Sequence, residues 1–139
     1  MALQLDSLQM SVEALERSLH ASTEESEGLS DALCETLRAG VIQNFEVAYE
    51  LSWKFIQRWI RTNKTPEDAD HPRTRKELFR MAARYGLIAD PLPWFEYGDA
   101  RNLTSHTYDA KRAAAVYTVA SRFARDARDL LHRLEERND

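Results

Sequence analysis

The sequence predicts an all-α protein, an antiparallel bundle of about five helices. Apolar residues recur at every third or fourth position and do not alternate, which is the spacing of helices. Only four glycines and four prolines occur in 139 residues, too few for a protein built from many strands and turns. With 43% hydrophobic residues the chain can bury one core but is too short to favour two, so we expect one domain over residues 1–139.

The first predicted helix covers residues 3 to 21. Its apolar positions form a narrow stripe that needs a partner helix: Leu5, Leu8, Val12, Leu15 and Leu19. The polar segment 22–30, STEESEGLS, then interrupts the helical spacing.

The second helix is predicted to be the longest-looking element, capped by Ser30 or Asp31 and ending near Thr62. Gly40 lies inside it, where a missing side chain would let another helix come close. The predicted buried face consists of Leu33, Leu37, Val41, Phe45, Ala48, Ser52, Phe55 and Trp59.

Capping residues place the remaining helices. Residues 63–72 are a loop by composition, after which Thr74 or the residue before it caps a third helix that Gly86 ends in a left-handed conformation. Asp90, followed by proline, starts a short fourth helix. Asp109 caps a fifth, which carries alanines on its apolar face and continues for roughly 27 residues.

Cysteine content and apolar run length predict where the protein resides. The single cysteine, Cys34, has no partner for an internal disulfide, which favours a reducing, cytoplasmic location. The first ten residues lack the basic and apolar regions of a signal peptide, and the longest apolar run, 113–120, is far shorter than a membrane span. We therefore expect a cytoplasmic protein with no membrane partner.

Charge is distributed unevenly along the chain, whose net charge is −4. Residues 1–31 hold one basic and seven acidic side chains, whereas residues 54–84 hold nine basic and four acidic ones. Arginine, which suits planar recognition of phosphate, outnumbers lysine by 15 to 4. Two interpretations stay open: a solvated helix face, or a basic surface for RNA or an acidic partner.

Metal and phosphate-loop motifs give no support for a cofactor. Asp129 and His132 have the spacing of helical metal ligands, but no second Asp-x-x-His or Glu-x-x-His pair accompanies them. Glycine-rich dinucleotide and nucleoside triphosphate loops are absent from the sequence. We predict no metal site and no cofactor.

Two glutamates on the second helix form a less ordinary pattern. Glu46, Glu50 and Lys54 follow at four-residue intervals, and Glu50 before Lys54 is the favoured order for a helical ion pair. Glu46 and Glu50 lie on one face, where like charges repel unless a cation or donor approaches. Arg101 or His106 is a candidate for that donor, and a solvated face is the alternative.

The stretch ARNLTSHTYDA, residues 100–110, concentrates reactive side chains between two helices. If the helix continues through residue 106, Asn102 and His106 share a face beside Arg101, so that arginine and histidine converge on one anion. Histidine as a residue type moves protons near neutral pH, and arginine stabilises charge that develops on phosphate. This pattern suits metal-independent RNA cleavage; a capped helix junction without chemistry is the alternative.

Three segments together resemble the HEPN superfamily, specifically the small proteins once described as nucleotidyltransferase substrate-binding proteins. They are FEVAYELSWK (45–54), TRKELFRMAARYGLI (74–88) and RNLTSHTYD (101–109), followed by an alanine-rich last helix. The similarity covers about residues 30–135. Arg101, His106 and Tyr108 match the family's Arg-x4-His-x-Tyr pattern.

The resemblance implies a toxin paired with a minimal nucleotidyltransferase antitoxin. Such proteins form helical homodimers in which the arginine and histidine of both subunits line a shared cleft and cleave RNA. The resemblance makes Tyr108 the residue to which the partner transfers AMP. In the first hypothesis, a toxin ribonuclease, Arg101 binds the scissile phosphate, His106 acts as general acid or base, and Asn102 orients His106 or the substrate. A non-enzymatic subunit that binds the nucleotidyltransferase is the second hypothesis.

The tryptophans lead to a separate prediction about dimerisation. Trp53, Trp59 and Trp94 are predicted to lie partly on a surface that a two-fold dimer buries, with core packing as the alternative for each.

Overall fold

The computed structural model describes residues 2–138; Met1 and Asp139 lie outside the described residues. Six α-helices follow in order: α1 (Asp6–Glu24), α2 (Asp31–Asn63), α3 (Pro66–Asp70), α4 (Arg75–Arg84), α5 (Pro91–Leu103) and α6 (Ala110–Glu136). A short 3₁₀ helix, Thr104–His106, joins α5 to α6. Residues 2–138 contain no strand, so the all-α prediction is confirmed, with six helices where about five were expected.

Four of the predicted helix starts are confirmed by their capping hydrogen bonds. In each case a cap side chain accepts from a backbone N–H of the first turn: Ser30 from Leu33, Thr74 from Glu77, Asp90 from Leu92 and Asp109 from Lys111. Gly86, with φ of +77°, ends α4 in the left-handed conformation as predicted.

The prediction of a loop over residues 63–72 is wrong in its middle, because α3 forms there. The Thr65 side chain accepts from the backbone N–H of Asp68, and Pro66 occupies the first helical turn. These two features favour a helix start even where the composition is polar.

The first helix begins and ends three residues later than predicted. It begins at Asp6 and ends at Glu24, where the prediction was residues 3 to 21. Ser22 and Thr23 both donate their hydroxyls to the carbonyl of Leu19, at 3.0 and 2.8 Å. Hydroxyls that bond back to the preceding turn let polar residues stay helical.

The first three turns of α2 are less covered than predicted. Leu33 is 52% exposed, whereas the predicted positions from Val41 onward are buried. No element of residues 2–138 covers Leu33, so that prediction is wrong for the single chain. A Cβ at Gly40 would meet nothing within 4 Å, so the expected close helix approach is also wrong within one chain.

Helix α6 packs against α2 and α5 through an aromatic cluster centred on Phe123. Its ring lies 5.0 Å from that of Phe45, 5.2 Å from Tyr97 and 5.7 Å from Trp94, centroid to centroid. Edge-to-face rings at this spacing pack favourably beyond their buried area. The cluster holds the body of α5 in place and thereby positions its last turn.

The tryptophans mostly belong to this interior. Trp94 is 2% exposed and Trp59 is buried, and Trp53 is half-buried against the core. The expectation that they form an exposed surface is therefore wrong for Trp59 and Trp94.

Within residues 2–138, no helix is long and apolar enough to cross a membrane.

Candidate active site

The Arg-x4-His-x-Tyr motif lies at the junction of α5 and α6. Helix α5 ends at Leu103, the chain tightens into the 3₁₀ helix over Thr104–His106, and Asp109 then caps α6. The Thr104 hydroxyl donates to the carbonyl of Arg101 at 2.8 Å, a side-chain bond that competes with continued α-helix. The junction therefore separates Arg101, on α5, from His106 and Tyr108.

Arg101 is held by three partners. Its Nε donates to Glu50 Oε1 at 2.9 Å, Nη2 lies 3.3 Å from Glu46 Oε1, and Nη1 donates to Thr104 Oγ1 at 2.9 Å. The side chain is 26% exposed. The two glutamates thus do receive a donor from another helix, and the alternative of a solvated face is wrong. His106, the other candidate donor, makes no hydrogen bond to either glutamate within the described chain.

Glu50 is the most connected carboxylate of the site. Besides Arg101, it accepts from Trp53 Nε1 at 2.9 Å, and Arg75 Nη1 lies 3.6 Å from its Oε1. Lys54, the expected helical partner, instead lies 5.7 Å from the Trp53 ring centroid. Two guanidinium groups therefore face two carboxylates, and the cluster carries no net charge.

Arg75 is the residue of this cluster that sequence reasoning missed. It belongs to the basic stretch 54–84 and directly follows the Thr74 cap, but nothing in its spacing connects it with α2. Its guanidinium lies 4.6 Å from the Trp53 ring centroid, a cation–π contact that holds it beside Glu50.

His106 and Tyr108 form a loosely held pair. The Nδ1 atom of His106 lies 3.4 Å from the Tyr108 hydroxyl, at the long end of hydrogen-bond distances. Tyr108 is 85% exposed. No hydrogen bond or ion pair joins Arg101 to His106 within residues 2–138. Both ends of the motif therefore lie at one junction without direct contact.

Asn102 faces away from the other motif residues. The condition for Asn102 and His106 to share a face was a helix through residue 106, but α5 ends at Leu103 and the chain continues as 3₁₀ helix. The Asn102 side chain is exposed and makes no hydrogen bond to His106 within the described chain. Asn102 instead lines a cavity between α4 and α5.

A cavity adjoins Tyr108. It has a volume of about 630 Å³ and lies between the first half of α2, the junction and the start of α6. Glu46 and Tyr108 line it, together with Arg38 and small side chains such as Ala39 and Ala113. The Glu46 carboxylate thus connects this cavity with Arg101.

Potential metal ligands are dispersed. Asp129, one of the two residues with ligand spacing, pairs with Arg133 at 2.9 Å. Residues 2–138 hold no group of three or more His, Cys, Asp or Glu side chains positioned to share a metal ion.

Comparison with known proteins identifies the family. The family model "nucleotidyltransferase substrate binding protein like" matches residues 3–136. A curated Haemophilus influenzae protein named probable ribonuclease HepT is 42% identical over 104 residues, covering 75% of this chain and 71% of the relative.

A solved structure shares the fold. It is a Haemophilus influenzae protein described as having the fold of a substrate binding domain of a nucleotidyltransferase. The TM-score is 0.88 at 34% identity, and the alignment covers 95% of this chain and 99% of that one. The resemblance carried by the motifs is thereby confirmed, and the chain belongs to the nucleotidyltransferase substrate binding protein like family.

Proposed function

We propose that this protein is a metal-independent endoribonuclease, the toxin of a HEPN toxin-antitoxin pair. One observation carries the proposal: the complete Arg-x4-His-x-Tyr motif lies at a helix junction where Glu46 and Glu50 orient Arg101. The relative named probable ribonuclease HepT supports the same activity.

In the proposed reaction, the 2′-hydroxyl of RNA attacks the adjacent phosphorus. The imidazole of His106 takes the hydroxyl proton, and the bond from phosphorus to the 5′-oxygen breaks. The products are a 2′,3′-cyclic phosphate and a 5′-hydroxyl, whose oxygen takes a proton from water, while His106 later returns its proton to solvent. Arg101 binds the scissile phosphate and stabilises the charge that grows on it. Asn102, exposed on the neighbouring cavity wall, binds substrate in this scheme, since it has no contact with His106.

Arg101 keeps donors free for a phosphate. A guanidinium carries five N–H groups, and Glu46, Glu50 and Thr104 engage its three nitrogens through one contact each. The remaining N–H groups on Nη1 and Nη2 are available to an incoming anion. The carboxylates hold the planar guanidinium of Arg101 in one orientation. The side chain therefore loses less conformational entropy when substrate binds.

The test compares purified wild-type protein with His106→Ala and with His132→Ala, which changes an exposed histidine far along α6. We expect cleavage by wild type and His132→Ala, and a loss of at least about 100-fold in His106→Ala. The product should end in a 2′,3′-cyclic phosphate, and EDTA should not slow the reaction. Robust cleavage by His106→Ala, or cleavage that EDTA stops, would overturn the mechanism.

The proposed active form is a homodimer with a shared cleft. The exposed Leu29 and Leu33 at the start of α2 and the adjoining cavity supply an uncovered apolar surface that a second copy can bury. Light scattering should give twice the 16.1 kDa chain mass at micromolar concentration. A monomer under these conditions would exclude the shared cleft.

The proposed partner is a minimal nucleotidyltransferase antitoxin that transfers AMP to Tyr108. The exposure of Tyr108 makes its hydroxyl accessible, and AMP there would place an anion beside His106 and obstruct the phosphate site. After co-expression with the partner, mass spectrometry should find an addition of about 329 Da on Tyr108. Tyr108→Phe should escape modification, whereas Tyr85→Phe should not.

A non-enzymatic subunit of a nucleotidyltransferase is the second candidate, favoured by the wording of the family description. Expression without the partner separates the two. Growth arrest by wild type and none by His106→Ala supports the toxin, and unaffected growth with stable partner binding supports the subunit.

A further inference from the structure

A second cavity shares no lining residue with the one beside Tyr108, and of its own lining only Asn102 has a role in the proposed reaction. It has a volume of about 450 Å³ and lies between α2, the start of α4 and the last half of α5. Its lining includes Tyr49, Arg75, Lys76, Phe95, Asp99 and Asn102.

The deepest of these residues has an unused hydroxyl. Tyr49 is fully buried, and its hydroxyl has no partner of good hydrogen-bond geometry within the described chain, although the Arg75 guanidinium lies beside it, 5.6 Å from the ring centroid. A buried hydroxyl normally finds a partner, so an orphan of this kind needs a reason. Burial raises the pKa of Tyr49, so the hydroxyl stays protonated and can donate.

Gly98, another lining residue, lets that hydroxyl pack closely against α5. A Cβ on Gly98 would lie 3.0 Å from the Tyr49 hydroxyl oxygen, tighter than ordinary contacts between such atoms. The absence of a side chain at Gly98 thus leaves the hydroxyl facing the α5 wall of the cavity.

The α4 wall of the cavity suits an anion. Thr74 accepts from the backbone N–H groups of Glu77 and Leu78, which leaves those of Arg75 and Lys76 as free donors at the start of this ten-residue helix. The side chains of Arg75 and Lys76 add positive charge at the same end. Donors and charge together form the surroundings that phosphate groups prefer.

The α5 wall has a different chemistry. Asp99 and Asn102 lie one turn apart on this helix and are both exposed, supplying a carboxylate and an amide. Phe95, on the same wall, is half-buried and has the Lys76 ammonium 5.6 Å from its ring centroid. An aromatic ring with amide and carboxylate groups nearby is suited to a nucleobase and ribose.

We propose that this cavity binds one nucleotide of single-stranded RNA, adjacent to the phosphate held by Arg101. The phosphate of this nucleotide binds the start of α4, and its base lies against Phe95. Once Arg75 moves from above the tyrosine ring, the Tyr49 hydroxyl reaches the nucleotide. The inference rests on the proposed ribonuclease function and names a substrate subsite for it.

Glu50 places the two phosphate positions side by side. Its Oε1 atom accepts from Arg101 at 2.9 Å and lies 3.6 Å from Arg75 Nη1, so both guanidinium groups meet at one oxygen. Neighbouring phosphates along an RNA strand can therefore engage one arginine each. Asn102, directly after Arg101, lines the cavity proposed for the second nucleotide.

The test measures binding of a fluorescently labelled hexaribonucleotide in the His106→Ala background, so that affinity is independent of cleavage. Adding Tyr49→Phe should weaken binding at least fivefold, and the melting temperature should stay the same or rise because no hydrogen bond within the protein is lost. Tyr85→Phe, at a half-buried tyrosine outside the cavity lining, should change neither quantity. Unchanged RNA affinity in Tyr49→Phe would overturn the proposal.

A salt titration tests the phosphate position separately. Lys76→Gln should reduce the slope of log affinity against log salt by about 0.7, the value of one lost phosphate contact on a single strand. An unchanged slope would show that the start of α4 does not bind a phosphate of the RNA.

Two further results distinguish this inference from the ribonuclease proposal. Tyr49-dependent RNA binding by a wild-type protein that cleaves no RNA would support the subsite and reject the ribonuclease. Binding of free AMP that depends on Tyr49, with RNA affinity unaffected by Tyr49→Phe, would overturn the RNA subsite. The ribonuclease proposal would then be decided by the cleavage assay alone.

Discussion

The two ends of the Arg-x4-His-x-Tyr motif are held very differently. Arg101 has three polar partners from α2 and the junction and is mostly covered. Tyr108 and His106 share one contact of 3.4 Å, and Tyr108 is largely in solvent. One end is thus positioned before substrate arrives, and the other is free to be modified or to adjust.

The contrast follows from what each end is attached to. Arg101 lies in the last turn of α5, whose buried Trp94 and Tyr97 pack around Phe123. His106 lies in a 3₁₀ helix of three residues, a geometry that forms weaker backbone hydrogen bonds than an α-helix. In the proposed enzyme, phosphate binding therefore uses the rigid end, and proton transfer and AMP addition use the exposed end.

The largest expected effect comes from changing the shape of the rigid end. Arg101→Ala should reduce RNA cleavage by about 100-fold to 1000-fold, because the charge on the phosphate loses its stabilising donors. Arg101→Lys should recover little of that rate, since one ammonium cannot hold both glutamates and a phosphate as the planar fork does. Single-turnover cleavage measures both; a lysine variant within twofold of wild type would show that only charge matters.

The second effect concerns stability and should differ between the two ends. Arg101→Ala leaves Glu46 and Glu50 facing each other, which should lower the free energy of unfolding by about 1–2 kcal/mol. His106→Ala should change it by less than about 0.5 kcal/mol, because the only hydrogen bond of its side chain within residues 2–138 is the long contact with Tyr108. Urea denaturation followed by circular dichroism provides the values, and equal losses for the two variants would contradict the contrast.

The smallest effect separates the two carboxylates. Glu50→Gln should cost about 1 kcal/mol of unfolding free energy, because Glu50 accepts from Trp53 and Arg101 and faces Arg75. Glu46→Gln should cost about half as much or less, since its only ion-pair partner within residues 2–138 is Arg101, at 3.3 Å. High salt should reduce both losses. A larger loss for Glu46→Gln than for Glu50→Gln would show that Glu50 is not the main support of Arg101.

Local patterns in the sequence determined where four of the helices begin. Ser30, Thr74, Asp90 and Asp109 act within a turn of their own position, so a reader of the sequence finds them without knowing the fold. The same locality explains the error over residues 63–72. Composition indicated a loop, although Thr65 and the following proline carried the cap of α3.

The sequence by itself identified the candidate site residues and indicated the family. Arg101, His106 and Tyr108 were evident from spacing and resemblance. Their arrangement was not, because it depends on where α5 ends. The change to 3₁₀ helix after Leu103 breaks the face that Asn102 and His106 would share, and no spacing rule signals it.

Only the tertiary structure decided which residues meet. Arg101 and Glu50 are 51 positions apart and come together because an aromatic core packs α5 against α2 and α6. Arg75 joins them from α4, and the same packing buries Tyr49 beside Gly98. Caps and motifs are local hydrogen-bond chemistry, readable one turn at a time, whereas contacts between helices depend on how whole apolar faces fit together.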